Sequence, residues 1–245
     1  MALKTPFCRV GTKKDLIPLI KREAPKSYNK YVEGFVGGGS VYFGLEIDVP
    51  AIINDLDKDL INGYRALKAN PDVSDVSKYA DLGIPAIEKL IKQPNKTTLE
   101  TLAGEIYRTC ATFGSKGGDN KIYKNPNITS KLKRVPQYAE YMKQTKILNQ
   151  DYKSVLLKND GENVFFYLDP PYEASKGLYK DDAIDLEEMA ILLSKLKGKF
   201  VLSLNDSSNV RNIFKRFKIK GFTVKREKHM EIGSKDRKEV IIKNF

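Results

Sequence analysis

Four consecutive residues have the types and order needed to hold an aromatic amine. Asp169, Pro170, Pro171 and Tyr172 directly follow the apolar run 164–168. Two successive prolines lack backbone N–H groups, so they end a strand and stiffen the turn that follows. The Asp169 carboxylate and a fixed Pro170 carbonyl can then accept the two amine hydrogens, while Tyr172 stacks on the attached base. Two such acceptors draw the nitrogen toward pyramidal geometry and direct its lone pair at an electrophile.

A glycine loop and a later acid predict a nucleotide site. Gly37, Gly38 and Gly39 follow the apolar run 31–36, and glycines permit tight turns and close approach of a ligand. Asp55 ends the next apolar run, where a carboxylate can accept hydrogen bonds from both ribose hydroxyls. Each feature also has a plain structural interpretation as a glycine turn, a helix-capping Asp or a Pro-Pro loop. No phosphate-binding Gly-Lys-Ser/Thr motif follows, which argues against an ATPase.

Elements that alternate between helix and strand are predicted to position these residues. Apolar residues at helical spacing predict a helix over 13–23, with Pro18 tolerated only in its first turn. Strands are predicted over 31–36, 51–53, 164–168, 200–204, 222–224 and 239–242. The further helices are predicted from 41, and over 56–67, 186–196 and 210–217. This alternation predicts an α/β fold with a parallel sheet.

The middle of the chain has a different character. Apolar stripes at helical spacing predict helices within 75–113, and residues 107–150 carry nine Lys and Arg against two acids. The α/β core is therefore interrupted by a basic insertion near 70–145.

Composition narrows the class of protein further. The 245 residues carry a formal charge of +12, which favours polyanionic partners such as nucleic acid. Cys8 and Cys110 lie far apart and, with one histidine, fit no metal-ligand spacing, so we expect no metal site. No disulfide framework is needed, which favours a reducing intracellular compartment, the cytoplasm. We also expect no membrane partner, because no apolar run reaches the length of a membrane span.

Taken in chain order, these motifs resemble those of the Dam-type S-adenosylmethionine-dependent DNA adenine-N6 methyltransferases. Residues 35–41 are similar to the family's Phe-x-Gly-x-Gly-Ser-Val loop, and residues 169–172 match its catalytic motif. Similarity to the family's other motifs is found at residues 11–13, 54–55 and 202–205. The resemblance spans nearly the whole chain and implies a Rossmann-like methyltransferase sheet, mostly parallel, with a mainly helical target-recognition domain inserted. The implied division is a catalytic domain of residues 1–70 and 146–245 and an inserted domain of residues 71–145.

The resemblance implies a role for each matching residue. Asp169 and the Pro170 carbonyl would hold the target amine, and Tyr172 would stack on the flipped base. The residues expected at the S-adenosylmethionine site are Lys13, Phe35, Gly37, Gly39, Ser40, Asp55, Asp151, Tyr152, Asp169 and Tyr179. The basic insertion supplies candidate contacts to double-stranded DNA: Lys116, Lys121, Lys124, Lys131, Lys133 and Arg134. Arg9 stands where well-known members place an aromatic residue two positions before Gly11.

The implied reaction is direct displacement of the methyl group by the amine of a flipped-out adenine, without a metal. Methylation of cytosine N4, methylation of adenine in RNA, and a DNA-binding module without turnover remain alternatives. Asp169 favours adenine, because cytosine-N4 enzymes more often have Ser at that position. The intact 169–172 motif argues against a pure binding module, and a dehydrogenase is poorly supported. Restriction-modification is a natural setting, but the methylated sequence, a cognate restriction enzyme and the choice between monomer and homodimer are left open.

Overall fold

A seven-stranded sheet organises the chain. The computed structural model describes residues 3–9, 11–74, 76–112, 121–171, 184–224 and 237–245. The strands are β1 (Lys30–Glu33), β2 (Ala51–Asn54), β3 (Thr145–Leu148), β4 (Val164–Leu168), β5 (Lys199–Asn205), β6 (Lys218–Val224) and β7 (Arg237–Lys243). Their order across the sheet is β3-β2-β1-β4-β5-β7-β6. Strands β1 to β5 pair in parallel, and β7 lies antiparallel between β5 and β6. The predicted mostly parallel α/β sheet is confirmed.

Helices are distributed over two buried clusters because side chains alternate along each strand. Tyr167 and Val201 point into one cluster, and Phe166 and Leu202 point into the other. The helical elements are a 3-10 turn (Lys14–Leu16), α1 (Ile17–Glu23), α2 (Ser40–Gly44), α3 (Lys58–Lys68), α4 (Ser77–Ala80), α5 (Ile84–Lys92), α6 (Thr98–Ala111), α7 (Thr129–Leu132), α8 (Val135–Tyr141), α9 (Tyr152–Asn159), α10 (Leu186–Leu193) and α11 (Ser208–Ile213). Helices α1 to α8 contribute to the first cluster, and α9 to α11 contribute to the second.

The neighbouring strands β1 and β4 mark the point where the chain reverses its direction across the sheet. From β1 the chain proceeds to β2 and β3 on one side, and it then crosses to β4 and β5 on the other. Open parallel sheets bind their ligands in the crevice at such a point, beyond the carboxyl ends of the strands. The glycine loop follows β1 and Asp169 follows β4, so both lie at this crevice.

Several elements differ from the sequence prediction: β3 has no counterpart among the predicted strands, and other boundaries shift, most clearly in β1 and β6. The first strand ends at Glu33 and not at residue 36, because Gly37 and Gly39 adopt positive φ angles and the backbone N–H of Val36 turns to the carbonyl of Asn54. The last strand pair is longer than predicted, since β6 begins at Lys218 and not at residue 222. Exposed polar residues alternate with half-buried ones along this edge strand, which gives a weak apolar signal. Pro18 lies in the first turn of α1, as predicted.

Helices α4 to α8 separate β2 from β3, where the sequence predicts an insertion. Their apolar residues, among them Ile87, Ile106 and Tyr138, join the same buried cluster as one face of the sheet. The inserted segment is therefore mainly helical and packs directly on the sheet. The division at residues 70–71 and 145–146 stays a prediction. None of the helices in the described residues has the length and apolar character needed to cross a membrane.

The two cysteines form a disulfide, which the sequence analysis did not foresee. Cys8 and Cys110 are 102 residues apart in the chain, yet their Cα atoms lie 4.9 Å apart. The bond joins the N-terminal segment to the last turn of α6. The expectation that the fold uses no disulfide is wrong, because chain spacing gives no information on how α6 folds back onto residues 7–9.

Candidate active site

Asp169 follows the carboxyl end of the buried strand β4 and is held from two directions. Its Oδ1 atom accepts a hydrogen bond from the Ser203 hydroxyl of β5 at 3.0 Å and forms an ion pair with the Lys13 ammonium at 2.8 Å. The Tyr167 hydroxyl lies 3.0 Å from the Ser203 oxygen and extends this chain of contacts into the core. Pro170 is buried beside Asp169. The Asp169 carboxylate therefore has a fixed position at the carboxyl edge of the sheet, next to the end of β4.

Lys13 connects the N-terminal motif with both the glycine loop and Asp169. Its backbone N–H donates to the Ser40 hydroxyl at 3.1 Å, and its ammonium also donates to the Gly11 carbonyl at 3.2 Å. The side chain is almost fully buried. Three of the residues that the sequence analysis placed at one site, Lys13, Ser40 and Asp169, are thus brought together by direct contacts.

The glycine loop is shaped around Asp55. The N–H of Gly37 donates to one carboxylate oxygen of Asp55 at 2.9 Å, and the N–H of Asp57 donates to the other at 3.0 Å. Burial raises the pKa of Asp55, although these two hydrogen bonds oppose the shift. Gly39 has a φ of 80°, and a Cβ atom there would lie 2.6 Å from the Tyr64 hydroxyl. The loop therefore requires glycine for both its conformation and its packing.

Asn54 fastens the glycine loop to the segment that leads into α9. Its amide nitrogen donates to the carbonyls of Gly34 and Gln150, at 3.1 and 2.9 Å, and its amide oxygen accepts from the N–H of Gln150 at 3.0 Å. Asp151 then caps α9 by accepting from the N–H of Lys153 at 2.7 Å. The two predicted cofactor motifs at 35–41 and 151–152 are therefore joined by one buried amide.

An apolar surface lies along the same loops. The rings of Phe35 and Tyr152 are 5.0 Å apart, and the buried Tyr152 hydroxyl has no hydrogen-bond partner among the described residues. Leu56 comes directly after Asp55, and 67% of its surface is exposed. The exposed Leu56 is a feature that the sequence analysis missed, although it directly follows the predicted cofactor residue Asp55.

Glu33 is a further buried acid that the sequence analysis did not single out. It ends β1, is 2% exposed and accepts a hydrogen bond from the Tyr31 hydroxyl at 2.6 Å. Burial raises the pKa of Glu33 well above its ordinary value. The Tyr31 hydrogen bond opposes this shift, whereas the charges of Asp169 and Asp55 add to it. Burial therefore favours the protonated form of Glu33, whose carboxyl group interacts electrostatically with both site carboxylates.

The predicted site residues in the inserted segment are less closely tied to this edge. The Lys121 ammonium lies 5.5 Å from the centre of the Tyr123 ring, Lys124 is exposed, and Arg134 precedes α8. Lys131 instead donates to the carbonyls of Thr5 and Pro6, and burial lowers its pKa to about 8. The Lys131 ammonium thus holds the N-terminal segment, and its contact with DNA stays a prediction. Three further candidates, Lys116, Tyr172 and Tyr179, lie outside the described residues.

Comparison with known proteins identifies the family. The model of the D12 class of N6 adenine-specific DNA methyltransferases matches residues 10–109 and 110–229, which is most of the chain. The chain belongs to this family. Its members' activity agrees with the site, because the matched region contains the Lys13 segment, the glycine loop, Asp55 and Asp169.

Named relatives share both sequence and length with this methyltransferase. The type II methyltransferase M1.LlaDCHI of Lactococcus lactis subsp. cremoris is 30% identical, over 98% of this chain and 95% of the relative. The type II methyltransferase M.MjaIII of Methanocaldococcus jannaschii is 28% identical, over 90% and 91%. The DNA adenine methylase of Vibrio cholerae is 25% identical, over 84% and 82%. These relatives include enzymes named for restriction-modification systems and for adenine methylation.

The predicted family and reaction class are thus confirmed. The methyltransferase is an adenine-N6 enzyme that acts on DNA, which removes the cytosine-N4 alternative and the module without turnover. In the part of the chain that the structure describes, no group of three or more His, Cys, Asp or Glu is arranged to hold a metal ion.

Proposed function

We propose that this methyltransferase takes its methyl group from S-adenosylmethionine and transfers it to an adenine flipped out of double-stranded DNA. The observation that carries the proposal is the placement of the glycine loop, Asp55 and Asp169. All three lie at the carboxyl edge of the sheet, just beyond the ends of β1, β2 and β4. A nucleoside with two ribose hydroxyls and a site for a flipped base both belong at such an edge.

The residues at this edge fit S-adenosylmethionine. Each Asp55 oxygen already accepts one backbone N–H, and a carboxylate oxygen has room for a second hydrogen bond from a ribose hydroxyl. Phe35, Leu56 and the buried Tyr152 ring supply apolar surface for an adenine, with Asp151 beside them. Gly37, Gly39 and Ser40 would bring backbone and hydroxyl groups close to the cofactor, and Lys13 would lie near its methionine end. When bound, S-adenosylmethionine supplies an electrophilic methyl group on a sulfonium.

Asp169 and the Pro170 carbonyl would hold the target amine. Both are hydrogen-bond acceptors, and they would bind the two N6 hydrogens of adenine. An amine held in this way keeps its lone pair directed at the methyl donor and not into the aromatic ring. The contacts from Ser203 and Lys13 keep the Asp169 carboxylate in place, so little reorganisation is needed during the reaction. Tyr172 would stack on the flipped base, and Tyr179 would lie in the loop over the site.

The charge of the chain supports duplex DNA as the substrate. A net charge of +12 favours binding to phosphates, and phosphate contacts would offset the few kcal/mol needed to flip a base. Lys121 and Lys124 expose their side chains next to the inserted helices, and Lys116 and Arg134 flank them in sequence. These residues are our candidates for DNA contacts.

Replacement of Asp169 tests the proposal directly. Asp169→Asn keeps the shape of the side chain but removes the charged acceptor, so we expect kcat to fall at least about a hundredfold. The measurement is transfer of labelled methyl from S-adenosylmethionine to unmethylated duplex DNA, followed by nucleoside analysis for N6-methyladenine. Single-stranded DNA and RNA are assayed in parallel, because equal transfer to either would contradict duplex DNA as the substrate.

Asp206→Asn is a matched control for this experiment. Asp206 follows β5, has the same exposed side-chain fraction as Asp169, 19%, and pairs with Arg211. We expect this variant to keep wild-type transfer. Wild-type activity in Asp169→Asn, or equal losses in both variants, would contradict the proposed role of Asp169.

A further inference from the structure

A cluster of four charged side chains lies behind the proposed cofactor site and joins it to the inserted helices. Asp57 accepts hydrogen bonds through one oxygen from Arg108 of α6, at 2.9 Å, and from Arg9 of the N-terminal segment. Arg108 also donates to both oxygens of Glu105, at 2.6 and 2.8 Å. Arg108 and Glu105 are buried, so this ion pair is shielded from solvent. We name these four residues, Arg9, Asp57, Glu105 and Arg108, the Asp57 cluster.

Asp57 transmits its position to Asp55 through the backbone. Its other oxygen caps α3 by accepting from the N–H groups of Asp59 and Leu60, each at 3.1 Å. Its own N–H donates to Asp55 at 3.0 Å, and the second Asp55 oxygen accepts from Gly37. The position of Asp57 therefore influences that of Asp55 through this backbone hydrogen bond.

Arg108, the α6 residue that binds Asp57, lies in a tightly packed contact between α6 and α3. Glu105, which binds Arg108, contacts α3 at Gly63, where an added Cβ would lie 2.5 Å from the Glu105 Cγ atom. The absence of a side chain at Gly63 lets α3 and α6 approach closely. Arg108 is therefore fixed by Glu105 on its own helix and aimed at Asp57 across the helix pair.

We propose that Arg108 is a positioning residue for the cofactor: it fixes the β2–α3 turn so that Asp55 is ready to accept the ribose hydroxyls. The inserted segment, expected from the sequence to serve recognition of DNA, then also contributes to cofactor binding. This inference rests on the proposed use of S-adenosylmethionine. It assigns no chemical step to Arg108, which acts through Asp57 and Asp55.

Binding of S-adenosylmethionine without DNA tests this role. Arg108→Met removes the charge and keeps the length, so we expect the Kd from titration calorimetry to rise at least about tenfold. We expect kcat at saturating S-adenosylmethionine to stay within about threefold of wild type, because Asp169 is unaffected. Arg108→Lys, which keeps one charge on Asp57, should recover part of the affinity. Hydrogen exchange of residues 34–39 and 55–57 should be faster in Arg108→Met than in wild type, with no ligand present.

Lys243→Met is the matched control. Lys243 of β7 forms an ion pair with the buried Glu23 of α1 at 3.0 Å. Replacing Lys243 therefore removes a comparable ion pair at a place away from Asp55. We expect lower stability in this variant but wild-type affinity for S-adenosylmethionine.

Several outcomes would overturn the inference. A folded Arg108→Met protein with wild-type Kd would do so, as would an equal loss of affinity in Lys243→Met. If Arg108→Met does not fold, Arg108→Gln, which also removes the charge, decides: a Kd within twofold of wild type contradicts the role. A wild-type protein that binds no S-adenosylmethionine would remove the proposed donor itself, which is a different failure seen before any variant is made.

Discussion

Glu33 shows how the environment of one residue changes its chemistry. Its carboxyl group is buried and interacts electrostatically with Asp55 and Asp169, and burial raises its pKa well above the ordinary value. A protonated acid near two carboxylates adds no third negative charge to the site. The sequence shows only a Glu within the run 31–36, and no motif marks it as a residue of the site.

The raised pKa of Glu33 predicts how stability depends on pH. The folded protein retains this proton at pH values where the unfolded chain has lost it, so the free energy of unfolding falls as pH rises above about 4.5. Each pH unit up to the folded pKa costs at most about 1.4 kcal/mol. Glu33→Gln resembles the protonated acid and cannot ionise, so its stability should fall less steeply. Urea unfolding of both proteins between pH 5 and about 8 measures the two slopes, and equal slopes would contradict the prediction.

At the scale of elements, the glycine loop combines unusual backbone angles with close packing. Gly37 and Gly39 both have positive φ values, 48° and 80°. At Gly37 an added Cβ would meet no atom within 4 Å, whereas at Gly39 it would meet Tyr64 and Phe43. The Tyr64 hydroxyl donates to the Gly37 carbonyl at 2.9 Å, so displacement of Tyr64 would also loosen the loop.

Alanine at each glycine separates these two effects. Both Gly37→Ala and Gly39→Ala pay the cost of a left-handed conformation, about 1–2 kcal/mol. Gly39→Ala must also displace Tyr64 and lose its hydrogen bond, which adds about 1 kcal/mol or more. We therefore expect Gly39→Ala to have the lower free energy of unfolding in urea. Equal stabilities would show that Tyr64 yields without cost and would contradict the packing argument.

The elements also show what could be predicted from the sequence. Local motifs place Asp169, the glycine loop and Asp55 correctly at strand ends, because short patterns encode strands and turns. The end of β1 was missed, since apolar residues continue past Glu33 into the loop. The contacts of Asp57 with Arg9 and Arg108 were also missed, because they join residues 48 and 51 positions apart and follow no spacing rule.

At the scale of the whole molecule, the N-terminal segment is tied to distant parts of the chain. Lys131 binds the carbonyls of Thr5 and Pro6, and the N–H of Cys8 lies 3.4 Å from the Thr109 hydroxyl of α6. The Lys13 motif that reaches Asp169 follows directly. The inserted helices thus support the segment that delivers Lys13 to the site, and the catalytic core and insertion share one buried cluster. Their separation into independently folding domains is therefore disfavoured.

The Cys8–Cys110 disulfide gives this connection a measurable effect on stability. A cross-link that spans 102 residues restricts the unfolded chain, and the loop-entropy model assigns such a loop about 4–5 kcal/mol. We expect Cys8→Ser and Cys110→Ser each to lower the free energy of unfolding by up to this amount, since either change removes the same bond. The oxidised protein should also lose stability when a dithiol reductant is added, whereas the two variants should not. A thiol reagent should find no reactive thiol in the denatured, unreduced wild type and one in each variant, so two thiols in the wild type would contradict the bond.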